Sequence, residues 1–123
     1  MVAQLNHTIV PSRDKHRGAG FLTQILGLPA PASFGHFVVV ELGNGVSLDY
    51  DDRPEVPSQH YAFLVEDEDF DPIFERVQAA GVSYFADPGH QRAGEINTHH
   101  GGRGFYFPDP DGHNLEVITR PYT

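Results

Sequence analysis

The sequence contains no cysteine. Disulfides, thiolate metal sites and cysteine nucleophiles are therefore excluded, and the redox state of the compartment leaves no mark on it. Positive charge is scarce: 8 Lys and Arg stand against 17 Asp and Glu, a formal net charge of -9. A basic groove for nucleic acid, or a surface for anionic lipid, is not to be expected from such a balance. No apolar run is long enough to span a bilayer. The opening "MVAQLNHTIV" lacks the basic region, extended apolar region and cleavage site of a signal peptide, so a cytoplasmic location is expected. What is present is 123 residues, 39% of them hydrophobic, which suits one domain with a modest core. Eight histidines are many for that length. Histidine is the commonest metal ligand among side chains, so their placement matters.

"LNHTIV" (Leu5 to Val10) reads as a strand with His7, Leu5 and Ile9 on one face. Pro11 and Ser12 read as its end and as a helix N-cap. The helix that follows carries Phe21, Leu22, Ile25 and Leu26 at helical spacing and stops at Gly27 and Pro29. Gly18 and Gly20 are out of place in it, each costing roughly 1 kcal/mol relative to alanine. "GHFVVVEL", a "GNG" turn and "VSLDYD" complete a first half. After the polar connection "DDRPEVPS" the pattern restarts. "QHYAFLV" is a strand with His60, Ala62 and Leu64 on one face. In "EDEDFDPIFERVQAAG" Phe70, Ile73, Phe74 and Val77 fall at i, i+3, i+4 and i+7, behind an acidic first turn that complements the helix dipole. "VSYF" reads as a short strand, and a loop from about Ala86 to Arg103 follows it. "GFYFPDPDGHNLEVITRP" then reads as strand, tight turn, strand.

The order strand, helix, strand, strand thus occurs twice. "NGVSLDYDD" laid over "DGHNLEVIT" matches Leu48 with Leu115 and Asp49 with Glu116, and His7 and His60 each open the first strand of a half. This is the signature of one module duplicated: module one at residues 1–52, a linker at 53–58 and module two at 59–123. Glu116 is a lone carboxylate in an apolar strand, where an unpartnered charge is costly. If the two sheets curve around a shared axis, His7, His60, Glu116 and Asp49 converge. Two imidazoles with one or two carboxylates suit a divalent ion such as Fe(II), Mn(II), Ni(II), Co(II) or Zn(II), with coordination positions left for a substrate. Asp49 shares its strand with Asp51 and Asp52, so a solvated acidic turn is the plain alternative for it.

With these residues in view, the chain resembles the vicinal oxygen chelate superfamily, which includes glyoxalase I, bleomycin-resistance proteins and extradiol dioxygenases. The resemblance runs from "LNHTIVP" through "HYAFLV" to the closing "GFYFPDPDGHNLEVITRP". It implies an α+β fold of two βαβββ modules forming a cupped mixed sheet around a metal, with His7, His60 and Glu116 as ligands. The glyoxalase I branch has a second glutamate as fourth ligand where this chain has Asp49. The extradiol branch uses Fe(II) and a tyrosine ten residues before its glutamate, the spacing of Tyr106 from Glu116. The bleomycin-resistance branch lacks the metal and binds a cationic drug between two subunits. The resemblance therefore implies a small metal-dependent enzyme that chelates its substrate through vicinal oxygens, by dioxygenase-type or lyase/isomerase-type chemistry. The alternative is a non-catalytic drug-binding dimer. A homodimer is expected in either case, with a small molecule as the partner and neither nucleic acid nor membrane.

The loop "PGHQRAGEINTHHGGRG" brings His90, Arg92, His99, His100 and Arg103 to the second half. Arg103 is a candidate for holding a substrate carboxylate, with His99 beside it. His100 is a candidate proton carrier near neutral pH, alongside Tyr106. The commoner role of any one such side chain is simple solvation. His36 and His113 have no assigned role, and Asp109, Asp111 and Gly112 read as turn chemistry.

Overall fold

A computed structural model describes residues 2–122. The chain divides into two compact units, Met1–Pro57 and Ser58–Thr123. The first unit comprises β1 (His7–Ser12), α1 (Lys15–Leu26), β2 (Ala32–Phe34), β3 (Phe37–Glu41) and β4 (Ser47–Asp52). Its four-stranded sheet has the order β1-β4-β3-β2, with β1 and β4 parallel and the other pairs antiparallel. The second unit comprises β5 (His60–Leu64), α2 (Asp67–Ala79), a 3-10 turn at His99–Gly101, β6 (Gly104–Pro108) and β7 (Asn114–Ile118). Its sheet has the order β5-β7-β6, with β5 and β7 parallel. Among the described residues no helix is long and apolar enough to cross a membrane. Mixed sheets with one helix each make the fold α+β.

The unit boundary falls between Pro57 and Ser58, in the polar connection. The first strand begins two residues later than Leu5 and continues through Pro11 to Ser12. Proline is tolerated because β1 is the edge strand of its sheet, where its missing N–H removes no ladder bond. The N-cap of α1 is Asp14, not Ser12: its side chain accepts from the backbone N–H groups of His16 and Arg17. Ser12 lies two residues back, its Oγ accepting the Asp14 N–H at 3.2 Å. Gly27 closes α1 in the left-handed conformation, φ 69°. Strand β2 lies outside every strand read from the sequence; it is three residues long and wholly exposed. "VSYF" forms no strand of its own. Phe85 makes isolated antiparallel bridges to Ala93 and to Tyr106 on β6, on the side of β6 where β2 lies beside β3 in the first unit.

Both sheets use one face for a core. In the first unit Val10, Val38, Val40, Leu48 and Tyr50 are buried and face α1, which buries Ala19, Leu22 and Ile25. In the second, Phe70, Ile73 and Val77 of α2 pack over Phe63, Phe105, Phe107, Leu115 and Val117. Phe70 and Phe105 meet edge to face at 5.5 Å. Each such apolar side chain contributes roughly 1.5–3 kcal/mol by leaving water. The register puts His7, Ile9, Ser47, Asp49, Phe37 and Val39 on the opposite face of the first sheet. The equivalent face of the second carries His60, Ala62, Leu64, Asn114, Glu116 and Tyr106. Ile9 and Leu64 remain 42% and 62% exposed there, whereas Glu116 and Tyr106 on the second module's face are buried.

The two helical glycines differ. A Cβ on Gly18 would come within 2.9 Å of Ser12 Oγ and 3.0 Å of the Tyr50 ring, so glycine is what lets α1 lie close on β1 and β4. A Cβ on Gly20 would meet nothing within 4 Å. Gly18→Ala is therefore expected to destabilise the chain by about 1–3 kcal/mol through overpacking. Gly20→Ala should stabilise it by about 0.5–1 kcal/mol. Urea unfolding of the two variants checks both signs, and an unchanged midpoint for Gly18→Ala would contradict this packing.

Candidate metal centre

Glu116 is a buried carboxyl group of the second unit, 1% exposed in the middle of β7. Parallel pairing sets His60 opposite Asn114 and Ala62 opposite Glu116. The carboxylate therefore stands two residues along from the histidine, on the same face. His60 Nδ1 lies 2.9 Å from the Asn114 carbonyl oxygen. A carbonyl only accepts, so Nδ1 carries the proton and Nε2 presents its lone pair. That Nε2 lies 3.0 Å from Glu116 Oε1. A proton shared between the two, or a metal ion bound by both, would each answer that spacing. Fixing a ligating histidine by hydrogen-bonding its other nitrogen to a carbonyl is the usual arrangement at metal centres. Two ligand atoms bound at right angles, each about 2.1 Å from one ion, stand about 3 Å apart. The spacing of the donor pair is thus compatible with one divalent ion as well as with a hydrogen bond.

The first unit repeats this register. His7 pairs with Ser47 and Ile9 with Asp49, so Asp49 again lies two residues along from the histidine. His7 Nδ1 is 2.7 Å from Asn6 Oδ1, which accepts its proton and leaves Nε2 free to ligate. Asp49 differs from Glu116 in both length and surroundings. It is only half-buried, and its Oδ1 accepts from Ser47 Oγ at 3.1 Å. Asp51 and Asp52 have other duties. Asp51 sits 2.8 Å from Arg53 Nε, and that hydrogen bond, foremost, holds its carboxyl below the usual range. Asp52 accepts the backbone N–H of Lys15 at the start of α1. His7 and Asp49 line one open groove of about 670 Å³ on this face, whose other walls include Phe34, Phe37 and Val39.

Tyr106 lies on β6 directly opposite Glu116, with its ring 5.9 Å from that of His60. Burial above all, and then the hydrogen bond to Tyr122, push its phenol well above the ordinary value, so it stays protonated at neutral pH. Tyr122 was not among the residues singled out from the sequence. Its hydroxyl donates to Glu116 Oε2 and lies 3.4 Å from the Tyr106 hydroxyl. Nothing in its local sequence marks it, since it follows β7 after a proline and finds Glu116 only through the fold. His100 packs on Tyr122, ring centroids 5.1 Å apart. His99 is exposed in the 3-10 turn beside it.

The expectation that Arg103 holds a substrate carboxylate meets a different geometry. Its Nη1 is 2.8 Å from Asp71 and its Nη2 3.1 Å from Asp67, both on α2, and its guanidinium lies 4.2 Å from the centre of the Phe70 ring. The fork is occupied by the first turns of α2 and fastens that helix to β6. His90 is likewise tied down. It stacks on Phe85 at 4.3 Å and bonds the Asn114 side chain at 2.8 Å. Asp109, Asp111 and His113 have ligand atoms within 4.8 Å of one another. Their bonds, however, build the turn: Asp109 Oδ1 accepts the N–H groups of Asp111 and His113, and His113 Nδ1 accepts that of Gln59. The one lone pair of a neutral His113 is thereby occupied.

Residues 4–117 match the profile of the Glyoxalase/Bleomycin resistance protein/Dioxygenase superfamily. The chain belongs to this superfamily. Among curated proteins it is 36% identical to glutathione transferase FosA of Serratia marcescens, over 95% of this chain and 81% of that protein. Among solved structures it is similar to oxidase ChaP-H1, at TM-score 0.97 and 56% identity over 98% of each chain. It is similar also to oxidase ChaP-H2, at TM-score 0.95 and 58% identity over 99% of this chain and 97% of that one. The paired modules and the strand order in each are thus those of the superfamily's fold.

The Arg103 geometry yields a testable outcome. Arg103→Leu should destabilise the chain by about 1–2 kcal/mol, from two largely exposed ion pairs and one cation–π contact. It should leave metal content unchanged. Denaturant unfolding and elemental analysis of the same preparation measure both, and loss of metal with intact stability would return Arg103 to the site.

Proposed function

We propose that the chain is a metal-dependent oxidase of the dioxygenase type, acting on a small molecule with an apolar body and two neighbouring oxygens. The observation that supports this reading is the His60–Glu116 pair, whose Nε2 and Oε1 face each other at 3.0 Å on one face of the sheet. The metal would be held by His7, His60 and Glu116, and bound there it would supply Lewis acidity and access to oxygen chemistry. Asp49 would stand beside it, orienting a ligand or a water rather than binding directly. Tyr106, held protonated, would donate a hydrogen bond to a substrate oxygen. The Phe34, Phe37 and Val39 wall of the first module's groove would take the apolar body. The relatives above 50% identity are oxidases, which favours oxidation over the thiol transfer named for FosA. A drug-binding protein without metal would have no use for the His60–Glu116 alignment. A two-fold dimer of this chain belongs to the same reading.

Purified protein is expected to hold about one divalent ion per chain. Glu116→Gln should weaken binding by at least roughly 100-fold, the upper end of what loss of an outer partner costs, whereas Asp49→Ala should cost about tenfold. Metal titration followed by elemental analysis measures both. Equal losses would move the assignment to four ligands and isomerase-type chemistry. Affinity should also fall as pH drops toward about 5, because protonated imidazoles cannot ligate. With Mn(II), glutathione and an electrophilic acceptor, no thiol should be consumed, and steady glutathione loss would favour the transferase reading.

A further inference from the structure

The segment after β7 returns an aromatic side chain to the carboxylate that β7 carries. Tyr122 is half exposed as a residue, yet its hydroxyl reaches Glu116, which is not. In that contact the phenol donates and the carboxyl oxygen accepts. The two oxygens of Glu116 are therefore distinguished: Oε2 accepts from Tyr122, and Oε1 faces His60 Nε2 at 3.0 Å. The Tyr122 ring is held in turn by the His100 ring, 5.1 Å away, and its oxygen lies 3.4 Å from the Tyr106 hydroxyl. A glutamate with nothing on its second oxygen is free to rotate and to chelate a metal through both.

We infer that Tyr122 is a positioning residue: it occupies Oε2 so that Glu116 ligates through Oε1 alone, leaving the coordination position that a chelating carboxylate would fill open to substrate. The inference rests on the metal reading given above. It also assigns His100 a place, packed against the tyrosine rather than against substrate.

Tyr122→Phe keeps the ring and removes only the hydroxyl. The parent and the variant are titrated with Mn(II), following the free-ion electron paramagnetic resonance signal, and with Co(II), following visible absorption. The parent should take up about one Mn(II) per chain. The variant, with an unchanged far-ultraviolet circular dichroism spectrum, should bind about tenfold more weakly, the scale on which outer partners tune affinity. Its Co(II) bands should also lose intensity per bound ion, as the freed carboxylate adds a ligand. Equal affinity and equal spectra in the two proteins would make Tyr122 a bystander and overturn the inference. Tighter binding by the variant would overturn it too, showing a phenol that competes with the metal. Weaker binding with an unaltered Co(II) spectrum would reduce Tyr122 to a structural role and equally overturn it. A parent that takes up no Mn(II) or Co(II) is a different result, and it is the metal reading itself that would then fall.

Discussion

Placing a carboxylate at 1% exposure inside a strand is the constraint around which the second module is organised. A buried unpaired charge costs several kcal/mol, so β7 could not carry Glu116 unless neighbouring groups answered it. The answers come from separate places in the chain. His60 arrives from β5 through parallel pairing, and Tyr122 from the segment after β7. Neither alone neutralises the site. The tyrosine donates a hydrogen bond but no charge, and the imidazole, with Nδ1 already donating to Asn114, meets Glu116 with a lone pair unless a proton or a metal sits there. The carboxylate is thus held by contacts that the fold brings together from two other segments.

The parts of this arrangement that lie along the chain were legible in it. Alternating strands, the α2 stripe of Phe70, Ile73 and Val77, and the parallel placement of His7 with Asp49 and His60 with Glu116 follow from periods of two and 3.6 and from a repeat. What escaped was whatever depends on partners far away in sequence. Pro11 reads as a strand end, and only its position on a sheet edge lets the strand pass through it. Gly18 reads as a flaw in α1 until Ser12 and Tyr50 are seen against it. Arg103 reads as a free fork for an anion, but Asp67 and Asp71, more than thirty residues earlier, already fill it. The three residues of β2 are too short and too exposed to carry a pattern at all.

The two modules keep one register and have diverged in what they put on it. Residue for residue, His7, Ser47 and Asp49 correspond to His60, Asn114 and Glu116. In the second module the carboxylate is long, buried and fixed by a phenol. In the first it is short and half-buried, with only the Ser47 hydroxyl on its Oδ1. An aspartate reaches about one bond less far from its strand than a glutamate does. The face that carries His7 also carries the apolar wall of Phe34, Phe37 and Val39. The two copies thus keep one backbone register while differing in the length of the carboxylate, in its burial and in the neighbours that hold it.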